Sequence, residues 1–394
     1  KGSSDFLVGL SALSSMSNTM TTSTTPLDIV LVLDMSGSMS QELSTEEQVT
    51  YNEIRADRVQ GSDAVEQRGI AGRRYYVQQD PGEYYVLVDG EYVRVQEAVT
   101  QERHQNWQGR YQNFDVHDYW YITGEDGTEI RVEPGSGENQ FYVQDTQYIT
   151  TTKIDALKEA VNQFIETTDQ ANASLPADGK HEISIVKFSG DSTNTIGNTT
   201  YRYDGDTYNY SQVVTDFTSD ATALESYVDA LQPAGATRAD YGLEQAQRVL
   251  QGDDTPYGTS NDLGGARENS KKVVIFFTDG QPSTFSDWSS SVANAAIQTA
   301  KEMKNDRNDP VTIYSIGVFE DANPENTTDN RFNCYMHAVS SNYPAASSSI
   351  SFWREWTINF GARAENSGYY KSATSAAELE KIFEEISGSI IQTG

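Results

Sequence analysis

The sequence predicts an α/β fold: a doubly wound, mostly parallel sheet with helices on both faces, carrying a β-rich inserted arm. Three observations lead to this prediction. Apolar runs typical of buried parallel strands occur at 27–34, 272–278 and 311–318. Segments with the apolar period of an α-helix lie between these runs. One stretch, residues 41–150, is instead aromatic and alternating, and it is far too long for a crossover loop.

The elements of the α/β part follow one another along the chain. After the strand at 27–34 we expect a helix at 154–167, a strand at 182–188, helices at 221–231 and 241–250, a strand at 272–278, a helix at 291–303, a strand at 311–318, a short strand at 368–372 and a closing helix at 376–386. Strands that alternate with helices predict a parallel sheet covered on both faces. Ligands bind such sheets at the carboxyl ends of the strands.

These elements divide the chain into segments. Residues 1–26 are rich in Ser and Thr and are expected to form an extended lead-in. The α/β domain is predicted over 27–40 and 151–390. The inserted arm occupies 41–150, and a second, irregular insertion lies within the α/β domain at 320–366.

Two stretches of the arm predict β-hairpins. Residues 84–96 and 119–133 each contain an aromatic strand, a turn with Asp-Gly and an alternating strand. We expect most of the aromatic rings to form cross-strand pairs that hold a small β-unit together. A few exposed rings could contact a peptide or a glycan.

The composition excludes several classes of function. The chain of 394 residues has 58 acidic and 28 basic residues, a formal net charge of −30, which would repel nucleic acid and anionic membrane surfaces. No apolar run is long enough to insert into a membrane. The single cysteine, Cys334, allows no intrachain disulfide. The four histidines have no zinc-like spacing and no Ser-His-Asp arrangement is visible, so we predict that the protein is not an enzyme.

Oxygen side chains follow the first buried strand in the pattern Asp34-Met-Ser36-Gly-Ser38. Alternate side chains of a tight loop can converge on one point. A carboxylate and two hydroxyls then provide hard oxygen ligands, which suit Mg2+.

Two more oxygen groups are expected at the same edge of the sheet. Thr237 precedes a predicted helix, and Asp279 follows the strand at 272–278. Parallel strands place Asp34 and Asp279 on one rim of the sheet. We therefore predict a site for one divalent cation, Mg2+ in the first place with Mn2+ or Ca2+ as alternatives. Five oxygen groups would leave at least one octahedral position for a ligand.

The sequence resembles a von Willebrand factor type A domain with a complete metal-ion-dependent adhesion site. The resemblance rests on Asp34, Ser36 and Ser38, then Thr237, then Asp279, in this order. It covers the α/β domain but not the inserted arm. It implies a Rossmann-like fold with direct metal contacts from the two serines and, with ligand bound, from the threonine. The aspartates would act through water, and an acidic group of the partner would complete the coordination.

A narrower resemblance concerns PLDIVLVLDMSGSM, DGQPST and MHAVSSNYP, which look like the type A domains of Gram-positive surface adhesins, including pilus-tip adhesins. Such domains often carry arms inserted close to the metal site, and here the insert begins three residues after Ser38. The resemblance implies an extracellular module on a bacterial cell wall or pilus tip, which binds a host matrix protein, a cell-surface protein or a glycan. The alternative is a structural pilus or surface-protein domain in which the metal only stabilises the loops.

Overall fold

A computed structural model of the chain describes residues 25–54, 64–68, 74–78, 84–105, 108–132, 140–193, 195–253, 263–352 and 355–393. The described residues form two compact units. One lies within Lys1–Ser44 and Thr150–Gly394, and the other is Thr45–Ile149. The predicted lead-in, up to residue 24, lies outside the described residues.

The strands of the described residues are numbered along the chain as β1 (Leu27–Asp34), β2 (Glu42–Ile54), β3 (Ala64–Arg68), β4 (Arg74–Gln78), β5 (Tyr84–Val88), β6 (Glu91–Arg94), β7 (Gln96–Gln105), β8 (Tyr111–Thr123), β9 (Glu129–Val132), β10 (Phe141–Thr152), β11 (Glu182–Phe188), β12 (Thr200–Tyr203), β13 (Asp206–Asn209), β14 (Gln212–Thr218), β15 (Lys271–Thr278), β16 (Thr312–Gly317), β17 (Ser347–Ile350), β18 (Trp356–Asn359) and β19 (Tyr370–Ser372). The α-helices are α1 (Lys153–Asn172), α2 (Ala221–Asp229), α3 (Ala239–Gln251), α4 (Ser290–Lys304), α5 (Arg331–Val339) and α6 (Ala376–Thr393).

The α/β unit is built on a six-stranded sheet with the order β14-β11-β1-β15-β16-β19. Neighbouring strands from β11 to β19 run parallel, whereas β14 pairs antiparallel with β11. The mostly parallel sheet predicted from the sequence is therefore confirmed. The edge strand β14 was not predicted, because Val213 is its one buried residue and the strand contains no continuous apolar run.

Helices cover both faces of this sheet, as predicted. Along β1, alternate side chains point to opposite faces, so Leu31 and Leu33 lie in one core while Val30 and Val32 lie in another. Helices α1, α2 and α6 contribute to the first core. Helices α3, α4 and α5 contribute to the second. Because both faces are covered, every residue of β1 is buried.

The segment 320–366, predicted to be irregular, contains helix α5 and the antiparallel pair β17–β18. All residues from Asn333 to Val339 are buried, so the helix has no apolar stripe of helical period that would reveal it in the sequence. One local signal was available, since the Asn330 side chain accepts hydrogen bonds from the backbone N–H groups of Phe332 and Asn333. Whether the segment is an insertion within the domain stays a prediction.

The second unit, Thr45–Ile149, is rich in β-structure. Its described residues form a sheet of order β2-β10-β5-β6, a sheet of order β7-β8-β9 and the pair β3–β4. Both expected hairpins are present, as β5–β6 and β8–β9. A small core joins strands of the two larger sheets and consists of Tyr84, Val86, Val95, Ile122, Val132 and Phe141.

Aromatic contacts accompany that core. The Trp120 ring lies edge-on to the rings of Tyr84 and Phe141, with centroids 5.4 and 5.7 Å away. The Tyr51 ring stacks on Tyr92 with a centroid distance of 3.8 Å. These described rings therefore contact one another across strands, as expected for rings that hold a small β-unit together.

Candidate metal centre

The carboxylate of Asp34 is fixed at the carboxyl end of β1. The register that pairs Leu33 with Phe277 places Thr278 beside Asp34. One carboxylate oxygen, Oδ1, accepts a hydrogen bond from the backbone N–H of Ser36 at 2.8 Å. The other, Oδ2, accepts one from the Thr278 hydroxyl at 2.7 Å. Asp34 is fully buried, so its position depends on these protein groups rather than on solvent.

Both serines of the motif converge on Asp279. The hydroxyl oxygens of Ser36 and Ser38 lie 3.1 Å apart. The Ser38 hydroxyl donates to Asp279 Oδ1 at 2.8 Å, and the Ser36 hydroxyl lies 3.5 Å from the same oxygen. Ser36 is buried and Ser38 is half-buried. The two loops that follow β1 and β15 thus meet through side-chain oxygens, although 241 residues separate Ser38 from Asp279.

Thr237 approaches the same point from a third loop. Its loop is tied to the motif by a hydrogen bond from the Gly37 backbone N–H to the Gly235 carbonyl, at 2.8 Å. A Cβ atom added to Gly280 would lie 3.3 Å from the Thr237 hydroxyl oxygen and 3.6 Å from that of Ser38. Both hydroxyls therefore border the space next to Gly280. The lack of a side chain there keeps the space between the loops open.

The electrostatics of the centre are dominated by two buried acids. Burial, and next the negative charge of Asp279, raise the pKa of Asp34 to about 7. The ammonium of Lys153 donates a hydrogen bond to Asp279 Oδ2 at 2.8 Å. The Asp279 side chain is fully buried, and 13% of the Lys153 side chain is exposed. A cation near these carboxylates would stabilise both charged forms.

The chemistry of this donor set fits a hard divalent cation. The five residues offer two carboxylates and three hydroxyls, the ligand type that Mg2+ prefers. Among the described residues, no group of three or more His, Cys, Asp or Glu side chains could hold a metal. Metal binding here would depend on the hydroxyls together with the two aspartates. The assignment of these five residues as metal ligands remains a prediction.

Sequence reasoning missed two residues of the centre. Thr278 was counted as a strand residue, although it fixes Asp34. Lys153 was not singled out at all, although it forms an ion pair with Asp279. The pattern D-x-S-x-S does not predict either residue, because tertiary contacts between distant segments bring both of them to the centre.

The histidines with described side chains make contacts of a structural kind. The backbone N–H of Leu27 donates to His181 Nδ1 at 3.1 Å. His337 Nδ1 lies 3.0 Å from the side-chain amide nitrogen of Asn342. The side chains of His104 and His117 lie outside the described residues.

The fold and the centre define a class of protein: an α/β domain in which oxygen side chains from three loops meet at the carboxyl end of a mostly parallel sheet. A sequence model of the family described as "von Willebrand factor type A domain" matches residues 141–281. The chain contains a von Willebrand factor type A domain, as the resemblance predicted. The matched range includes Thr237 and Asp279 but not Asp34, Ser36 or Ser38, which precede it in the chain.

Solved structures similar to this chain include three proteins of different origin. The first is proximal thread matrix protein 1 from the mussel byssus with a zinc-occupied MIDAS motif, which is 13% identical with a TM-score of 0.35 over 60% of this chain and 43% of that one. The second is the von Willebrand factor domain of the type V pili tip protein Mfa5 from Porphyromonas gingivalis, which is 14% identical with a TM-score of 0.35 over 61% of this chain and 90% of that one. The third is the PilB minor pilin from Streptococcus sanguinis, which is 10% identical with a TM-score of 0.35 over 88% of each chain. The chain thus spans less than half the length of the mussel protein. With TM-scores of this size, these similarities carry no functional conclusion.

No curated protein sequence matches the chain. Among the described residues, no helix combines the length and the apolar character needed to cross a membrane.

Proposed function

We propose that this chain is an extracellular adhesion module of a bacterial surface or pilus protein. It holds one divalent cation, Mg2+ in preference to Mn2+ or Ca2+, through Asp34, Ser36, Ser38, Thr237 and Asp279. A free coordination position of that ion binds an acidic group of a host matrix or cell-surface protein. The observation that carries the proposal is the convergence of the two serine hydroxyls on the buried Asp279 carboxylate.

The charge of the chain explains why an ion is needed. With a formal net charge of −30, the bare surface repels an acidic partner. A bound divalent cation is the largest local charge in such a site and reverses the sign of the field there. The positive charge of the metal ion then explains how an otherwise acidic protein can bind a carboxylate of its partner.

The inserted segment, residues 41–150 in our division of the chain, is proposed to contribute to the choice of partner. It leaves the type A domain three residues after Ser38 and returns just before Lys153. Several of its apolar side chains are exposed, among them Tyr111 with 61% and Tyr148 with 70% exposed. Exposed aromatic side chains of this kind are enriched where proteins bind partners.

A structural role is the second candidate. Both oxygens of Asp279 already have donors within the protein, namely the serine hydroxyls and Lys153. The loops can therefore be held together without any partner. In that case the protein would be a pilus or surface-protein domain in which the metal only stabilises the loops.

The test is a binding screen of the chain against matrix proteins and glycans, with Mg2+ and with chelator. For a partner found in this way, Asp279→Ala should abolish binding while the circular-dichroism spectrum and the melting curve show a folded protein. Asp287→Ala is the matched control, because it removes the same charge from an exposed position in the same loop. A chain in which a short linker replaces 45–149 tests the inserted segment, since full affinity of this variant would make the segment irrelevant to recognition.

The two candidates give different results. For an adhesion site, chelation and Asp279→Ala remove binding at a constant folded fraction. For a structural role, binding follows the folded fraction measured in the same samples. The adhesion proposal is wrong if the Asp279→Ala protein is folded and binds the partner as the Asp287→Ala protein does.

A further inference from the structure

Lys153 brings a positive charge to the centre of the candidate metal site. Its ammonium lies 2.8 Å from Asp279 Oδ2, at a carboxylate whose side chain is completely buried. Among the ion pairs of the described residues, this is the pair that involves one of the five predicted ligands. We propose that Lys153 is a tethered cation that holds Asp279 when no divalent ion is bound, so that a metal ion binds in competition with it.

The two carboxylate oxygens of Asp279 have different partners. Oδ1 accepts the Ser38 hydroxyl at 2.8 Å. That contact is compatible with a metal ion, because a hydroxyl can donate its proton to a carboxylate while its lone pairs face the ion. Oδ2 accepts the ammonium of Lys153, which has no lone pair to offer and carries the same sign of charge as the metal. Two cations at one carboxylate repel each other strongly in a buried site, so the ammonium must move away when the ion enters.

Helix α1 fixes the backbone position of Lys153. Lys153 is the first residue of the helix, its backbone N–H donates to the Gln41 carbonyl at 3.0 Å, and the neighbouring Ile154 and Leu157 are buried in the core. The Thr152 side chain caps the helix by accepting from the Asp155 backbone N–H. The backbone at Lys153 is therefore fixed, and only its side chain is free to turn.

The placement of this lysine is otherwise unfavourable. The amino-terminal turn of a helix favours acidic side chains and disfavours cations, because the peptide dipoles place positive charge there. An ion pair with the buried Asp279 offsets this cost. The lysine stem is long and flexible, and part of the side chain is already exposed, so the ammonium can turn into solvent when a metal replaces it.

The inference rests on the proposed metal site and adds a property to it. The affinity for a divalent ion is set by the difference between metal binding and the loss of the Lys153–Asp279 pair. A variant without the ammonium does not lose that pair on binding. Its affinity for Mg2+ should therefore be higher, although the protein has lost a favourable contact of its metal-free form.

Mg2+ titration of the whole chain by isothermal calorimetry tests the proposal. Lys153→Met should bind Mg2+ about tenfold or more tightly than the control, the magnitude that a charge-assisted hydrogen bond represents. Lys158→Met is the matched control. It makes the same change of charge and shape on the same helix, at a side chain that contacts the Asp229 carbonyl. Comparison with this control removes the general effect of a more negative protein.

The melting temperature provides a second, independent measurement. In chelator, Lys153→Met should melt below Lys158→Met, because Asp279 has lost its cation, and saturating Mg2+ should raise its melting temperature by more. Lys153→Gln is the second variant in case the methionine protein does not fold, since its amide keeps a donor for Asp279 without the charge. It should also bind Mg2+ more tightly than Lys158→Met.

The outcomes separate this inference from the metal site itself. If the unchanged chain binds Mg2+ and both Lys153 variants bind with the affinity of Lys158→Met or more weakly, the competition is disproved and the metal site stands. If neither the unchanged chain nor either Lys153 variant binds Mg2+, the metal site is disproved together with the competition.

Discussion

At the scale of the residue, strand β1 carries two buried aspartates with opposite surroundings. Asp28, near its start, accepts hydrogen bonds from the Arg267 guanidinium and backbone N–H and from the Ser270 hydroxyl. Asp34, at its end, accepts hydrogen bonds from the Thr278 hydroxyl and the Ser36 backbone N–H, and the negative charge of Asp279 contributes to its raised pKa. Removing one partner of a buried ion pair leaves an uncompensated charge and destabilises the fold, whereas the ionised form of a buried carboxylate is itself disfavoured when a second carboxylate lies nearby.

The substitution of each aspartate by asparagine should therefore have opposite effects on stability. Asp28→Asn removes the buried charge partner of the Arg267 guanidinium, which among the described residues then keeps only Glu182 at 3.8 Å, and should lower the free energy of unfolding by about 3 kcal/mol. Asp34→Asn should raise it by about 1 kcal/mol or more at roughly pH 8 in chelator. The reason is that the raised pKa of Asp34 means that the fold disfavours its ionised form. Denaturant unfolding of both variants and the unchanged chain measures the difference.

The Asp34 prediction has its own internal control. In saturating Mg2+, Asp34→Asn should be less stable than the unchanged chain, because a ligand of the proposed ion is missing. Equal losses of stability for Asp28→Asn and Asp34→Asn in chelator would contradict the distinction between the two carboxylates.

At the scale of the element, the β5–β6 hairpin illustrates what turn chemistry determines. Val88 pairs with Glu91 around a two-residue turn, in which Asp89 has φ +50° and Gly90 has φ +91°. Both central residues thus adopt positive φ, which is the requirement of the type I′ turn and the reason that Asp-Gly predicts a hairpin. The hairpin at 84–96 could be predicted for this local reason, without knowledge of its neighbours.

Two glycine-to-alanine substitutions should change the free energy of unfolding in opposite directions. Gly90→Ala should destabilise the β-rich unit by about 1 kcal/mol, because alanine resists a positive φ. A Cβ at Gly90 would meet no atom within 4 Å, so the effect is purely conformational. Gly388→Ala in helix α6, where a Cβ would also meet no atom within 4 Å, should stabilise by roughly 0.5–1 kcal/mol.

Thermal unfolding of the two proteins, followed by circular dichroism, provides the comparison. A Gly90→Ala protein as stable as the unchanged chain would show that the turn does not need its positive φ.

Helix α5 is the opposite case among the elements. Every residue from Asn333 to Val339 is buried, polar ones included, so no amphipathic period marks the helix. Asn333 is accommodated because its side chain donates to the Asp321 carbonyl and accepts from the Tyr370 hydroxyl. Such a helix can be buried because neighbouring segments form hydrogen bonds with its polar side chains. The local sequence pattern does not show which segments will be its neighbours.

At the scale of the whole molecule, stability should depend on pH through a buried histidine of this helix. The Asn342 side-chain oxygen accepts from the backbone N–H groups of Gly368 and Tyr369, so its amide nitrogen faces His337 Nδ1 as a donor. His337 is thereby held neutral. Burial, as the main cause, lowers its pKa from 6.5 to about 4.

Acid should therefore destabilise the protein between about pH 6.5 and pH 4. Within this range the unfolded chain binds a proton at His337 and the folded chain does not, so the free energy of unfolding falls as the pH falls. At about pH 5 the loss through this group amounts to about 2 kcal/mol. The raised pKa of Asp34 acts with the opposite sign in part of the same range, so a comparison of variants is needed.

His337→Gln isolates the histidine contribution. Its stability at neutral pH is expected to be lower, but the drop from about pH 7 to pH 5 should be smaller than that of the unchanged chain by about 2 kcal/mol. Denaturant unfolding at both pH values measures the two drops. Identical drops would mean that His337 titrates in the folded chain as it does in the unfolded one.

The sequence by itself determined the α/β class, the alternation of strands and helices, the two hairpins of the β-rich segment and the two acids at the carboxyl ends of buried strands. These features depend on local periods and turn chemistry, which are written in neighbouring residues. The tertiary structure alone decided that β14 closes the sheet edge as an antiparallel strand, that Thr278 fixes Asp34 and that Lys153 meets Asp279. The physical reason is register: which residues lie side by side on adjacent strands and helix ends depends on how distant segments pack, and a pattern of hydrophobicity does not contain that choice.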